Sequence, residues 1–433
     1  MRRMVERRLH RYVLWLLLLL SILFIFSGCS SRLSRQSREA SRQRVLLISL
    51  DGFRWDYLDR IDTPNFDRFL QHGIRAEAFI PSFPSKTFPN HFTEVTGLYP
   101  GHHGVVANNM YDPVFKARFS LRNRAEVTNG RWYDGVPIWI TLEKRGLISA
   151  PFFWPGSEAE IQGTRPTYYV QFQHDMPHQE RIARVLHWMD LPEKERPWFF
   201  TLYFSDVDDA GHVYGPESPQ LAQAVQKIDH TLGILLDSLE VRHWQDWLNI
   251  IITSDHGMAA TSKERVIILD DYINPELLNA VDYSPVLAMW PDSADLETVY
   301  RRLKGAHPHL QVYRKAEIPE RFHYRKHRRV PPLIGLADEG WSIATRAYYQ
   351  RNPSRFDGGD HGYDNQLRSM WGILLARGPA FRSDVHPGPV ENIHLYNLLC
   401  AILRVPPEPN DGNMSLARQV LKPAFVKNLP AVE

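Results

Sequence analysis

The chain has 433 residues, of which 43% are apolar and 23% charged; this is enough for one large domain with an insertion or for two domains, and it excludes a chain disordered along most of its length. The formal charge of +2 conceals an asymmetry. Residues 1–28 carry five arginines and one glutamate, and the remainder sets 46 basic against 48 acidic side chains, so it has no basic excess with which to hold nucleic acid.

In chain order, "MRRMVERRLHR" is a basic leader and "YVLWLLLLLSILFIF" an apolar run, followed by "SGCS" around Cys29. This is a signal peptide of the lipoprotein type over residues 1–28, with Cys29 as the lipidated residue, although Phe26 stands where a smaller aliphatic is usual. The alternative is an uncleaved signal anchor. Both readings export the domain; the first tethers it by lipid to the bacterial cell envelope, facing the periplasm. Cys400 is the other cysteine, so lipidation of Cys29 leaves no intramolecular disulfide. Residues 29–43, rich in Ser, Arg and Gln, read as a flexible tether.

Order begins at "RVLLISLDG", a continuous apolar run of strand length ending at Asp51-Gly52. "DTPNFDRFLQHG" reads as a helix with Thr63 as N-cap, Pro64 at its first position and Gly73 as its stop. "PWFFTLYFSD" is a second buried strand, and "SPQLAQAVQKIDHTLGILLDSLE" a helix capped by Ser218, with Leu221, Val225, Ile228, Leu232 and Leu235 as its apolar stripe. "LNIIITSDHG" is a third buried strand. Residues 264–345 change texture to strand, helix, strand, strand, a small α+β insertion. The core resumes at "GGDHGYDN", the last helix is expected over 390–403, and 421–433 is a C-terminal tail. Cys400 on that helix reads as core packing, and "HYRKHRR" (323–329) as a solvated face or a contact for anionic lipid. Apolar strands alternating with amphipathic helices imply an α/β core over 44–263 and 346–420, a mainly parallel sheet with helices on both faces. Ligands in such folds bind at the C-terminal strand ends.

Polar residues collect at those ends: Asp51; Asp208 with His212; Asp255 with His256; and His361. Three aspartates and three histidines, without thiolate, suit zinc or a similar divalent ion. Six ligands divide into two sites of three, and two ions ~3.5–4 Å apart can clamp both oxygens of an in-line displacement. Thr87 starts a short helix, where it is either a plain N-cap or a hydroxyl placed where backbone N–H groups favour an anion. Lys86 beside it either aids phosphate binding or is solvated.

The segments "LDGFRWDYL", "PSFPSKTFPNHFTEVTGLYPGHHGVVANNMYDP", "DVDDAGHVYGP", "TSDHGM" and "GDHGYDN" resemble the nucleotide pyrophosphatase/phosphodiesterase family of the alkaline phosphatase superfamily, bacterial members in particular, over residues 44 to about 415. The resemblance implies an alkaline-phosphatase-like core and two Zn2+ per chain. Asp51, Asp255 and His256, with the oxygen of Thr87, would hold one ion; Asp208, His212 and His361 would hold the other. Thr87 would be the nucleophile of a phosphothreonine intermediate, Asn108 would bind a non-bridging phosphoryl oxygen, and Phe88, Leu121 and Tyr203 would sandwich a nucleobase. A neutral amide at Asn108, rather than an arginine fork, points to diesters over monoester dianions. The expected activity is hydrolysis of nucleotide phosphodiesters or pyrophosphates to a nucleoside monophosphate. A choline- or lipid-type diester is the alternative substrate, for which Glu158 and Glu160 are the candidate acids of a cage for a quaternary ammonium, and a non-catalytic binding module is a third reading.

Overall fold

A computed structural model describes residues 43–427. The leader, Cys29, the tether before Gln43 and the last residues of the C-terminal tail lie outside the described residues. Among the described residues no helix is long and apolar enough to cross a membrane.

The three apolar runs form neighbouring parallel strands: Arg44–Leu50 lies between Phe199–Phe204 and Leu248–Thr253, with Val45 opposite both Phe199 and Asn249. Ser149–Ala150 adds a further parallel strand outside Phe199–Phe204. Leu374–Arg377 runs antiparallel beside Leu248–Thr253 and carries Ile74–Arg75 at the edge, completing six strands. Successive strand residues point to opposite faces. Val45, Leu47, Phe199 and Ile251 therefore pack on one side with helices Thr87–Thr96 and Leu395–Leu403. Leu46, Ile48, Phe200, Leu202 and Ile250 pack on the other with helices Pro64–Leu70, His178–Met189 and Pro219–Val241. Burial on both faces is why these strands are uninterrupted apolar runs.

Ser218 caps its helix as expected, accepting from the Leu221 N–H at 3.1 Å. Thr63 does not cap Pro64–Leu70 with its side chain. The carboxylate of Asp229, on Pro219–Val241, instead accepts the N–H groups of Asn65 and Phe66, each at 2.9 Å, so a charged cap replaces the hydroxyl. The helix expected over 390–403 spans Leu395–Leu403 and is not the last. Two short helices follow, Ser415–Val420 and Pro423–Val426, because Leu416, Ala417, Val420 and Leu421 bury an apolar face against the core. Cys400 is buried there, and burial pushes its thiol up to about 12.

Within the insertion the expected strands and helix are present, with three more strands: Ala280–Asp282 completes a four-stranded antiparallel sheet with its own apolar core around helix Leu296–Leu303, and Val266–Ile268 and Ser342–Ala344 pair with each other in parallel. "HYRKHRR" is a solvated face only in part: His323, Arg325 and Lys326 are exposed, whereas other members of the run turn inward. Arg329 is fully buried, pairing with Asp112 at 2.6 Å and donating to the carbonyls of Gly104 and Trp132. Tyr324 is buried with its hydroxyl on the Val106 carbonyl, and His327 pairs with Asp134. Three of the seven side chains thus turn inward to fasten the insertion to the core.

Candidate active site

Each expected ligand sits where a strand ends. Asp51 closes the first strand, and the turn after it needs glycine: Gly52 has φ +67°, and a Cβ there would lie 2.9 Å from the Asp208 backbone. Asp208 and His212 lie one helical turn apart on Asp206–Tyr214, so both face the same way. Asp255 and His256 follow the third strand. His361 follows Gly359, whose Cβ would lie 2.7 Å from the Gly211 carbonyl; that close approach lets His212 Nδ1 donate to Gly359 O at 2.9 Å.

The fold brings all six together. The ligand atoms of Asp208, His212 and His361 lie within 4.8 Å of one another, as do those of Asp51, Asp208 and His256. His256 Nε2 is 3.0 Å from Asp255 Oδ2, 3.4 Å from Asp51 Oδ1 and 3.3 Å from Thr87 Oγ1. Asp208 thus stands in both groups, a closer merging of the two sets than the resemblance implies. The three histidines share one device. His212, His256 and His361 each direct Nδ1 at a backbone carbonyl, of Gly359, Gly257 and Ser85 respectively. A carbonyl only accepts, so the proton sits on Nδ1 and the Nε2 lone pair faces the centre, as metal-ligating imidazoles require.

Three buried carboxylate oxygens here, Asp51 Oδ1, Asp208 Oδ1 and Asp255 Oδ2, accept no hydrogen bond. Burial, with Asp255 and Asp208 nearby, pushes Asp51 well above the usual carboxylate range, and burial likewise raises Asp208. Burial would raise Asp255 too, but His256 and His91 outweigh it and hold that carboxyl well below the range. Burial and the neighbouring His256 and His212 keep His361 neutral, well below the usual imidazole value. Orphaned carboxylate oxygens facing the Nε2 atoms of imidazoles anchored through Nδ1 are a donor set that fits divalent cations.

Thr87 is the first residue of helix Thr87–Thr96, but the helix offers a poorer anion cradle than its position implies. The Phe88 N–H already donates to Asn108 Oδ1 at 2.9 Å, residue 89 is proline, and the Asn90 N–H is intrahelical, on Lys86 O. With its oxygen held by that N–H, Asn108, which lines the cavity, has Nδ2 left as its donor. Lys86 neither lines up for phosphate nor is solvated. It is buried, its Nζ 2.8 Å from Asp282 and 3.0 Å from Ser284 O of the insertion.

Phe88, Leu121 and Tyr203 line one cavity of about 310 Å³ together with Thr87, Asn108, Asp51, Asp208, His212 and His361. Tyr203 does more than line it: its hydroxyl donates to Asp51 Oδ2 at 2.5 Å. Phe172, 39% exposed, forms a further aromatic wall with its ring 6.0 Å from that of Tyr203; a loop phenylalanine gives no periodic signal in sequence. Glu158 lines the cavity but is neutralised by Arg124 and accepts the Phe172 N–H, whereas Glu160 is exposed beside Arg165. His91 is a further residue of the site that no strand-end pattern marks in the sequence. Its Nδ1 lies 2.9 Å from Thr87 O and 3.4 Å from Asp255 Oδ2, and its Nε2 2.8 Å from Ser49 Oγ. With both nitrogens engaged it braces Asp255 and Thr87, and its place four residues after Thr87 on one helix was the available signal.

The family model for type I phosphodiesterase / nucleotide pyrophosphatase matches residues 45–364. The chain belongs to that family, and is therefore a phosphodiesterase/pyrophosphatase hydrolase on an alkaline-phosphatase-like α/β fold. Human ectonucleotide pyrophosphatase/phosphodiesterase family member 5 is 39% identical over 394 residues, covering 91% of this chain and 81% of that protein. Bis(5'-adenosyl)-triphosphatase of Xenopus laevis is 37% identical over 405 residues, 93% of this chain and 86% of that protein. A solved structure of murine ectonucleotide pyrophosphatase/phosphodiesterase 5, an inactive form in complex with AMP, matches with TM-score 0.83 and 38% identity, over 87% of this chain and 100% of that one.

Proposed function

We propose that this chain hydrolyses nucleotide phosphodiesters or pyrophosphates through a phosphothreonine at Thr87, with two Zn2+ as cofactor, and releases a nucleoside monophosphate. The observation that carries the reading is the set of three orphaned carboxylate oxygens facing three Nδ1-anchored histidines, with the Thr87 hydroxyl 3.3 Å from one of them. Asp51, Asp255 and His256 with the Thr87 oxygen would hold one ion, and Asp208, His212 and His361 the other. Bound there, divalent cations supply charge neutralisation and acidify a hydroxyl at neutral pH.

Thr87 Oγ1 bonds to phosphorus while the bond to the leaving oxygen breaks; the electron pair departs with the leaving group and the hydroxyl proton passes to solvent. Water then attacks the phosphothreonine, the Oγ1–P bond breaks, and the nucleoside monophosphate leaves a regenerated hydroxyl. Asn108 Nδ2 donates to a non-bridging oxygen as charge builds. Phe88, Leu121 and Tyr203, which line one cavity beside Thr87, hold the base; the murine relative, solved in complex with AMP, supports a nucleotide as the substrate. A quaternary ammonium would need a free acid among the aromatics. Glu158 is already paired with Arg124, which favours the nucleotide over the choline-type diester.

The test compares thymidine nitrophenyl phosphate, nitrophenyl phosphate and nitrophenyl phosphocholine on zinc-loaded full-length protein in detergent. The nucleotide diester should turn over fastest, and Thr87→Ala should lose at least about 10³-fold in kcat. Full activity in that variant overturns the mechanism. A bacterial source and an envelope location belong to the same reading, supported by residues 1–29. Palmitate labelling of the wild type, lost in Cys29→Ser, is expected; an unlabelled wild type leaves the signal-anchored alternative.

A further inference from the structure

A second, larger cavity of about 650 Å³ opens onto the same centre from the insertion side. It shares Asn108, His212 and His361 with the first, whereas Thr87, Phe88 and Tyr203 line only the first. A diester has two arms. If the aromatic cavity beside Thr87 takes the transferred nucleoside, the arm leaving in line, away from Thr87, has this second cavity to enter.

Its chemistry differs from the first. Arg351 and Arg355 line it, and among the described residues neither has a carboxylate partner; Arg351 makes one bond, from Nε to Ala347 O at 3.1 Å. The other cation, Lys86, is neutralised by Asp282. The remaining acid, Asp360, is occupied by the His361 N–H on one oxygen and the Ser284 hydroxyl on the other. Three cations thus face two carboxylates, and the excess rests on the two unpaired guanidiniums. Tyr348 and Tyr283, 45% and 37% exposed, supply aromatic faces on the same walls. Unpaired guanidiniums suit phosphate oxygens, and exposed aromatic rings suit a planar base.

We propose that Arg351 and Arg355 bind the leaving arm of the substrate and select an anionic, phosphate-bearing leaving group, such as a nucleoside diphosphate, over a neutral alcohol or phenol. This rests on the phosphodiesterase reading above and adds specificity-determining residues to it.

The test is Arg351→Gln/Arg355→Gln, with Arg242→Gln as a remote charge control, assayed on diadenosine triphosphate and on thymidine nitrophenyl phosphate. The double variant should lose about ten- to a hundred-fold in kcat/KM on the triphosphate, chiefly through KM, and stay within about two-fold on the nitrophenyl ester. The salt dependence of triphosphate cleavage should flatten in the variant alone. Calorimetric binding of ADP to protein already saturated with AMP needs no turnover, and it should weaken about ten-fold in the variant. Equal losses on both substrates, or unchanged triphosphate cleavage and ADP binding, overturn the proposal. A wild type that cleaves neither substrate defeats the phosphodiesterase reading instead, and the ADP measurement then decides the arginines separately.

Discussion

Asn108 shows how one side chain can serve the fold and the chemistry at once. Its oxygen is held by the Phe88 N–H, which leaves its nitrogen as the donor for the cavity it lines. Asn108→Asp keeps the acceptor for that N–H but replaces the remaining donor with a negative charge. The melting temperature should hold while kcat on a nucleotide diester falls about 10²–10³-fold, the usual cost of losing one such donor. Asn108→Ala should lose both, and a variant that kept activity would remove Asn108 from the chemistry. Behind the same helix His103 is buried and neutral, receiving the Val105 N–H on Nδ1 and meeting Thr93 Oγ1 with Nε2. Burial and the nearby His327 push it down to about 3. Its folded value lies below its unfolded one, so the unfolded chain binds the extra proton and stability falls as pH drops below the unfolded value. The loss is about 1.4 kcal/mol per pH unit, or roughly 2 kcal/mol at pH 5. Urea unfolding at pH 7.5 and 5.0 should show that slope in the wild type and a flatter one in His103→Gln. Equal slopes would mean that His103 titrates normally.

At the scale of elements, long-range pairs fasten the insertion to the catalytic core. Lys86, one residue before Thr87, is tied to Asp282 and Ser284, so the start of the Thr87 helix and the insertion sheet hold each other. Farther off, Arg329 is clamped by Asp112, by carbonyls and by the Trp132 ring 5.0 Å away. Arg328 and Arg329 together hold the Asp112 carboxyl down to about 2, against the effect of burial. Removing one partner of a buried pair strands the other. Asp112→Asn should therefore cost about 3–5 kcal/mol, and Asp112→Leu combined with Arg329→Met clearly less than the two single changes summed. A double-mutant cycle by chemical unfolding measures this; an Asp112→Asn cost below about 0.5 kcal/mol would place the pair among ordinary surface bridges.

Across the whole molecule, what the sequence disclosed and what it hid have separate physical causes. Burial on both faces writes a strand as an unbroken apolar run, and a parallel sheet puts its chemistry at strand ends, so Asp51, Asp208, His212, Asp255, His256 and His361 were legible. The Asp229 cap, the Lys86–Asp282 pair and the inward turn of Arg329 were not, because their partners stand more than 160 residues away in the chain. The centre itself joins four such distant segments, and mutual repulsion among Asp51, Asp208 and Asp255 strains it. A divalent cation should relieve that repulsion and lock the segments together, contributing about 4 kcal/mol at a thousand-fold excess over its Kd. Chelator should lower Tm and speed amide exchange around residues 51–52, 208–212, 255–257 and 359–361, and zinc should restore both. The discriminating variant is Asp208→Asn, which stands in both ligand groups. With one negative charge gone, its metal-free form should melt above the metal-free wild type, yet gain less from added zinc. A variant that melts lower in both states would mean that Asp208 supports the fold through contacts unrelated to charge, and that repulsion is not what a cation relieves.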